Sequence, residues 1–225
     1  MTINPILPLL RLLQLASPSL PVGAYSYSQG LEWAVEDGLV TDEITVQRWI
    51  SASLRQATAK LDGPILVRMH EGWQAGNLKS VRYWNDFILA CRETRELQAE
   101  DQHLGMALGK VLEGLEIDWT RRWGMAECSF AAPYSLAAVE WRLSIDMMLS
   151  GYLWGRLENQ VLTAMKLMPL GQRAGQRMLF ELAKPIPAYI EKIVRLQDHE
   201  IGGSLPLLAI ASSRHETQYS RLFRS

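Results

Sequence analysis

The sequence predicts an all-α fold, a single-domain bundle of about nine or ten helices. Apolar residues recur at helical spacing along most of the 225 residues, and no stretch shows the sustained alternation of a β-strand. Pro, Gly and Asn separate the apolar stripes, as they do at helix ends. With 48% hydrophobic residues and no visible internal repeat, the chain can bury one sizeable core.

Composition excludes several classes of protein. The net charge of −1 and pI of about 6.4 do not favour nucleic acid or an anionic membrane as a partner. Cys91 and Cys128 are too few for a disulfide framework or a thiolate metal site. Residues 1–15 lack the basic start of a signal peptide, and no uninterrupted apolar run reaches the roughly 18 residues of a membrane span. We expect a soluble, cytoplasmic protein without a membrane segment.

The first helix is predicted over residues 8–16, with an apolar stripe of Leu9, Leu12, Leu13 and Ala16. Ser17-Pro18, Leu20-Pro21 and Gly23 then impose a loop, because a residue before proline disfavours the helical region. Ser26 or Ser28 would cap the next helix, which stops at Gly38. The rings of Tyr25, Tyr27 and Trp33 suit either a contact surface or the core below an ordinary loop.

Three helices are predicted between Gly38 and Cys91. Thr41 would cap the first, which runs to a stop at Gly63. Pro64 suits the first position of the second helix, which Gly76 closes, and Asn77 would cap the third.

Residues 92–101 form a charged run that is typical of a solvated helical face. Later helices are predicted over residues 133–148 and 152–168, and a short one from Pro187. Three pairs of glycines spaced four apart predict close packing between helices: Gly105 and Gly109, Gly151 and Gly155, and Gly171 and Gly175.

The last twelve residues, 214–225, form a tail that is poor in apolar groups. Ordering its backbone costs on the order of 12 kcal/mol, whereas burying Tyr219, Leu222 and Phe223 returns about 5 to 9 kcal/mol. The tail is therefore expected to be frayed when the protein is alone, as many termini are. Its tyrosine, leucine, phenylalanine and three arginines are also typical of interfaces, so folding on binding a partner is the alternative.

No catalytic motif is visible in the sequence. Three histidines precede a glutamate, but the positions where a zinc hydrolase needs its second histidine hold Gln74, Gly203 and Tyr219. A phosphate-binding loop is absent, and Ser26 and Ser28 lack the flanking glycines of a nucleophile elbow. We therefore expect a protein that is not an enzyme and has no cofactor and no bound metal.

Three segments resemble the UreF family of urease accessory proteins. They are SPSLPVGAYSYSQGLE at residues 17–32, PLGQRAGQR at 169–177 and ASSRHETQYSRLFRS at 211–225. The resemblance implies a helical homodimer that binds the scaffold accessory protein UreD, also called UreH, and recruits the GTPase UreG. Together they would deliver nickel to apo-urease. Such a protein would act by coupling binding energies rather than by chemistry.

The resemblance also implies roles for particular residues. Residues 1–213 would form the helical domain, and the tail at 214–225 would become ordered on partner binding. The scaffold would contact Arg214, His215, Glu216, Tyr219, Ser220, Arg221, Leu222, Phe223 and Arg224. The GTPase contact or a structural corner would be formed by Pro21, Gly23, Tyr25, Ser28, Gly30, Leu31 and Glu32. A dimer contact or close helix packing would involve Gly151, Tyr152 and Gly155.

Two other functions stay open from the sequence. One is a helical enzyme or small-molecule binder whose pocket is lined by some of the eight tryptophans and nine methionines. The other is a helical adaptor unrelated to metal.

Overall fold

A computed structural model describes residues 6–124 and 126–225, and within them it confirms the all-α fold. This part of the chain contains twelve α-helices, one π-helix and two short 3-10 helices, and no strand. The α-helices are α1 Ile6–Ala16, α2 Leu31–Glu36, α3 Glu43–Ser53, α4 Gly63–Gln74, α5 Leu78–Ala90, α6 Arg95–Gly114, α7 Trp119–Trp123, α8 Ala131–Glu140, α9 Ile145–Leu167, α10 Gln172–Ala183, α11 Ile186–Ile193 and α12 Pro206–His215.

The long helix α9 lies at the centre of the bundle. Helices α1, α2, α3, α4, α10 and α11 all contact it, while α4 packs against α5 and α8 on the other side of the core. Trp119 and Trp123 stack on each other with ring centroids 5.2 Å apart, and Trp73 packs against both at 6.2 Å, so the three rings form one aromatic cluster in the core. Within the described ranges, none of the helices is long and apolar enough to cross a bilayer.

Helix ends with a clear capping side chain were predicted well. The Asn77 carboxamide accepts the Ser80 backbone N–H at 3.1 Å at the start of α5, as expected. The cap of α3 is Asp42 rather than Thr41, because the Asp42 side chain accepts the Thr45 N–H in a capping box.

The predicted stop at Gly63 is wrong. The chain stays helical from α3 through a π-helix, Leu54–Asp62, into α4. Gly63 has a helical φ of −58° and packs against Ile193, so it serves close packing rather than a turn. Pro64 has no N–H to donate to an ordinary helical turn, and the wider π turns precede it.

The break between α8 and α9 also differs from the prediction. It lies at residues 141–144, where Arg142 has a φ of 55° and the Ser144 hydroxyl caps α9 by accepting the Met147 N–H. The sequence argument placed the break at residues 149–151, which are helical. Helix α7 was not predicted at all.

The apolar stripe assigned to α1 was misplaced. Leu9 and Leu13 are exposed, whereas Leu15 is buried and Leu12 packs on the core. Nearly every residue of α1 is apolar, so the pattern alone could not select the buried face. Leu12 lies directly over Gly151 of α9.

Most of the paired glycines mark close contacts. Gly105 faces the backbone of residues 128 and 129, Gly109 faces the Trp119 ring, and Gly175 faces Met165. Gly171 differs, because it precedes α10 and a Cβ there would meet nothing within 4 Å.

Candidate functional site

The C-terminal tail lies against residues 26–32 and against helix α6. On one side the contacts come from the 26–32 stretch and from two glutamates of α6, and on the other side from His215 and the last four residues. We call this group the tail clasp: Ser26, Ser28, Glu32, Glu96, Glu100, His215 and residues 222–225.

Glu32 is the principal acceptor of the tail clasp. Its carboxylate accepts the backbone N–H of Leu222 at 2.6 Å and of Phe223 at 2.9 Å. The side chain is only 8% exposed, so these N–H groups replace water around the charge. Glu32 sits in the first turn of α2, where the helix N-terminus also favours a negative charge.

His215 lies between two carboxylates and is fully buried. Its Nε2 is 3.0 Å from Glu32 and its Nδ1 is 2.8 Å from Glu96. Arg221, from the tail, donates to the other oxygen of Glu96 at 2.7 Å. The clasp therefore joins α2, α6, α12 and the tail by charge-assisted hydrogen bonds.

The end of the tail is held by the 26–28 stretch and by α6. The backbone oxygen of Ser225 accepts the Ser28 N–H at 2.6 Å and also the Ser28 hydroxyl, while the Ser225 hydroxyl donates to Glu100 at 2.9 Å. The Arg224 N–H donates to the Ser26 carbonyl at 2.8 Å. Phe223 is buried between these contacts.

The prediction of a serine cap for α2 is right in part. Gly30 holds the N-cap position and has no side chain, but the Ser28 Oγ accepts the Glu32 backbone N–H in the first turn at 3.4 Å while the same hydroxyl donates to Ser225. Gly30 has a φ of 77°, and a Cβ there would approach the backbone of Ser212 in α12 to 2.9 Å. Only glycine fits both the conformation and the contact.

The outer face of the tail remains exposed. Tyr219 is fully exposed and Leu222 is 67% exposed, although the backbone beside Leu222 is anchored. Tyr25 is 62% exposed, and the Lys166 ammonium lies 5.7 Å from its ring and 5.6 Å from the ring of Phe223. The tail and the Tyr25 loop thus form one continuous surface.

The charged run at residues 92–101 is not a solvated face. Arg92 is buried and pairs with Asp62 at 2.8 Å and with Asp101 at 2.9 Å. Burial raises the pKa of Glu100, which Gln29 and Ser225 bind by hydrogen bonds. The sequence argument missed this because the partners, Asp62 on the π-helix and Arg156 on α9, are far away in the chain.

A cavity of about 100 Å³ lies under the loop of residues 17–25, between α6 and α9. Its lining includes Leu20, Val22, Tyr25 and Tyr152 but no tryptophan or methionine. This cavity is smaller than the roughly 300 Å³ at which pockets for drug-sized ligands begin. Two open surface grooves along α6 measure about 420 and 490 Å³, and Met106 lines the first of them. The part of the chain that the structure describes also contains no group of three or more His, Cys, Asp or Glu arranged to hold a metal ion.

The structure brings together residues that the sequence argument assigned to different partners. Ser28, Gly30, Leu31 and Glu32 are buried, whereas Pro21 and Tyr25 are exposed. Of the buried four, Ser28 and Glu32 bind the tail. Gly23 provides a turn, with a φ of 81°. Within the tail, the exposed members are Arg214, Glu216, Tyr219, Ser220, Arg221, Leu222 and Arg224.

The other predicted contact set lies inside the fold. Gly151 and Tyr152 are buried, and Leu12 of α1 covers Gly151. A dimer contact through this face would require α1 to move away. Glu96 and Glu100 are the residues of the tail clasp that sequence reasoning missed. They are spaced four apart on the buried side of α6, and the sequence analysis treated them as part of a solvated charged run.

Comparison with known proteins identifies the family. A family profile described as UreF matches residues 40–183. The urease accessory protein UreF of Alkalilimnicola ehrlichii is 46% identical over 223 residues, which cover 99% of this chain and 98% of that protein. UreF of Azoarcus sp. strain BH72 is 47% identical with both chains fully covered, and UreF of Teredinibacter turnerae is 45% identical over 96% of this chain and 98% of that protein. The chain therefore belongs to the UreF family of urease accessory proteins.

Proposed function

We propose that the protein is a non-enzymatic urease maturation factor that binds the scaffold accessory protein UreD/UreH through its docked tail and also recruits the GTPase UreG. Nickel is the cargo of this assembly and reaches apo-urease through it. Family membership supports a role in urease maturation. The observation that carries the tail assignment is the exposure of Tyr219 and Leu222 on an anchored backbone.

An anchored tail suits recognition because its backbone has already lost its conformational entropy before a partner binds. A partner that contacts Tyr219 and Leu222 would not have to fix the backbone itself, which lowers the cost of association. Aromatic and arginine side chains are frequent at interface hot spots, and Arg214, Arg221 and Arg224 flank the two apolar residues.

We assign the exposed corner of Pro21 and Tyr25 to the GTPase side of the assembly. Ser28 and Glu32 then have a structural role, since they bind the tail. Gly30, which faces α12, and Leu31, which lies in the core, have a structural role as well. A homodimer is part of the same proposal, with its contact surface outside the covered Gly151 face.

Size-exclusion chromatography with purified UreD/UreH and UreG, with and without guanine nucleotide, tests the proposal. The double variant Tyr219→Ser, Leu222→Ser should lose co-elution with the scaffold, with affinity at least about tenfold lower, or about 1.4 kcal/mol. The matched control is Leu207→Ser, Ile210→Ser, which removes two exposed apolar side chains from α12. Undiminished binding by the tail variant contradicts the tail assignment.

A further inference from the structure

The hydrogen bonds around His215 require a particular protonation state. A neutral imidazole has one donor and one acceptor nitrogen, whereas an ionised carboxylate can only accept. Both His215 nitrogens face carboxylate oxygens, Glu32 at 3.0 Å and Glu96 at 2.8 Å. A neutral ring would therefore point a lone pair at one of the two carboxylates.

Both carboxylates have other donors that favour their ionised form. The two oxygens of Glu32 accept the N–H groups of Leu222 and Phe223, and Glu96 accepts Arg221. Two carboxylates and Arg221 leave a net charge of −1, so an imidazolium at His215 balances the buried group.

Other charged groups face the clasp from each element packed on it. Glu36 on α2 bonds Gln218, and Glu216 at the end of α12 faces the backbone N–H of Glu96. Glu100 on α6 bonds Ser225, with Arg156 of α9 at 3.4 Å. Among the described residues, Arg221 is the one other cation paired with these two carboxylates, and it binds the Glu96 oxygen that His215 does not contact.

We propose that His215 is a positioning residue that holds the tail as an imidazolium, its two ring N–H groups donating to Glu32 and Glu96. That this anchoring presents Tyr219 and Leu222 to the scaffold protein rests on the proposed function.

Nitrogen NMR of the imidazole rings in the full-length isolated protein tests the protonation state directly. The variant His215→Gln lacks this imidazole ring and so identifies the ring-nitrogen signals of His215. The exposed His199 is the internal reference. Both ring nitrogens of His215 should carry a proton at neutral pH. Glu96→Gln removes one negative charge and should convert His215 to the neutral form, while Glu181→Gln, which alters an exposed ion pair with Lys184, should not. A single ring proton in the unmodified protein overturns the proposal.

Binding to UreD/UreH tests the consequence for the tail. His215→Gln should bind the scaffold at least about tenfold more weakly than the unmodified protein, and the control His199→Gln, which changes an exposed histidine, should bind as the unmodified protein does. Undiminished binding by His215→Gln contradicts the positioning role. Absence of binding by the unmodified protein contradicts the proposed function instead, and the NMR result alone then decides the protonation state.

Discussion

Glu32 and His215 show how single residues join the two ends of this chain. A buried carboxylate is costly unless hydrogen bonds replace its water, and Glu32 obtains them from the tail backbone and from His215. The sequence correctly predicted a helix that includes Glu32, and it could not show which donors complete the hydrogen bonding of this carboxylate. Those donors lie about 190 residues further along.

His70 is a second buried histidine, and its environment is the opposite of that of His215. Burial in α4 lowers the pKa of His70 below its ordinary value, so the folded state disfavours the charged form. The unfolded chain therefore takes up the proton more readily, and stability that is present above about pH 6.5 is lost as the pH falls.

We predict that His70→Leu reduces this acid-dependent loss of unfolding free energy. Urea denaturation at neutral pH and about one unit below the ordinary histidine pKa of about 6.5 provides the measurement. The control His199→Gln changes an exposed histidine and should follow the unmodified protein. If the unfolding free energy had the same pH dependence in all three proteins, His70 would not contribute to the acid-dependent loss of stability.

At the scale of elements, the sequence predicted a helix end correctly where a single residue determines it. Asn77 caps α5, and Gly38 follows α2 with a φ of 77°. The errors arose where distant packing overrides the local signal, as at Gly63, which packs on Ile193 within a continuous helix. The buried side of α6 belongs to the same class, because Glu100 pairs with Arg156 of α9 and Glu96 pairs with Arg221 of the tail.

Gly105 tests close packing between elements. A Cβ there would lie 2.5 Å from the Cys128 carbonyl oxygen and 2.7 Å from the Ser129 backbone, which cannot move aside as a flexible side chain can. We predict that Gly105→Ala lowers the unfolding free energy by about 1 to 3 kcal/mol.

Gly114 at the end of the same helix is the matched control, since a Cβ there would meet nothing within 4 Å. Gly114→Ala should be neutral or stabilise by up to about 1 kcal/mol, because alanine is the better helix former. Chemical denaturation measures both. A Gly105→Ala protein as stable as Gly114→Ala would refute the close contact.

For the whole molecule, the position of the tail is the main result that the sequence could not give. The sequence argument weighed chain entropy against three apolar side chains, and only Phe223 of the three is buried. Polar bonds to Glu32, Glu96, Glu100 and Ser28 were left out of that argument, and hydrogen bonds to charged groups contribute about 1.5 to 3 kcal/mol each. Ordering of the tail on partner binding stays a prediction, and the docked geometry supports the competing prediction that the tail is already ordered in the isolated protein.

Amide hydrogen exchange at Leu222 and Phe223 in the isolated protein tests the tail clasp most directly. Both N–H groups donate to Glu32, so we predict exchange at least about 100-fold slower than in an unstructured peptide, or about 2.8 kcal/mol at 1.4 kcal/mol per factor of ten. Glu32→Ala should abolish this protection, and Asp37→Ala, at the exposed C-terminal end of α2, should keep it. Exchange at the peptide rate in the unmodified protein would contradict the account.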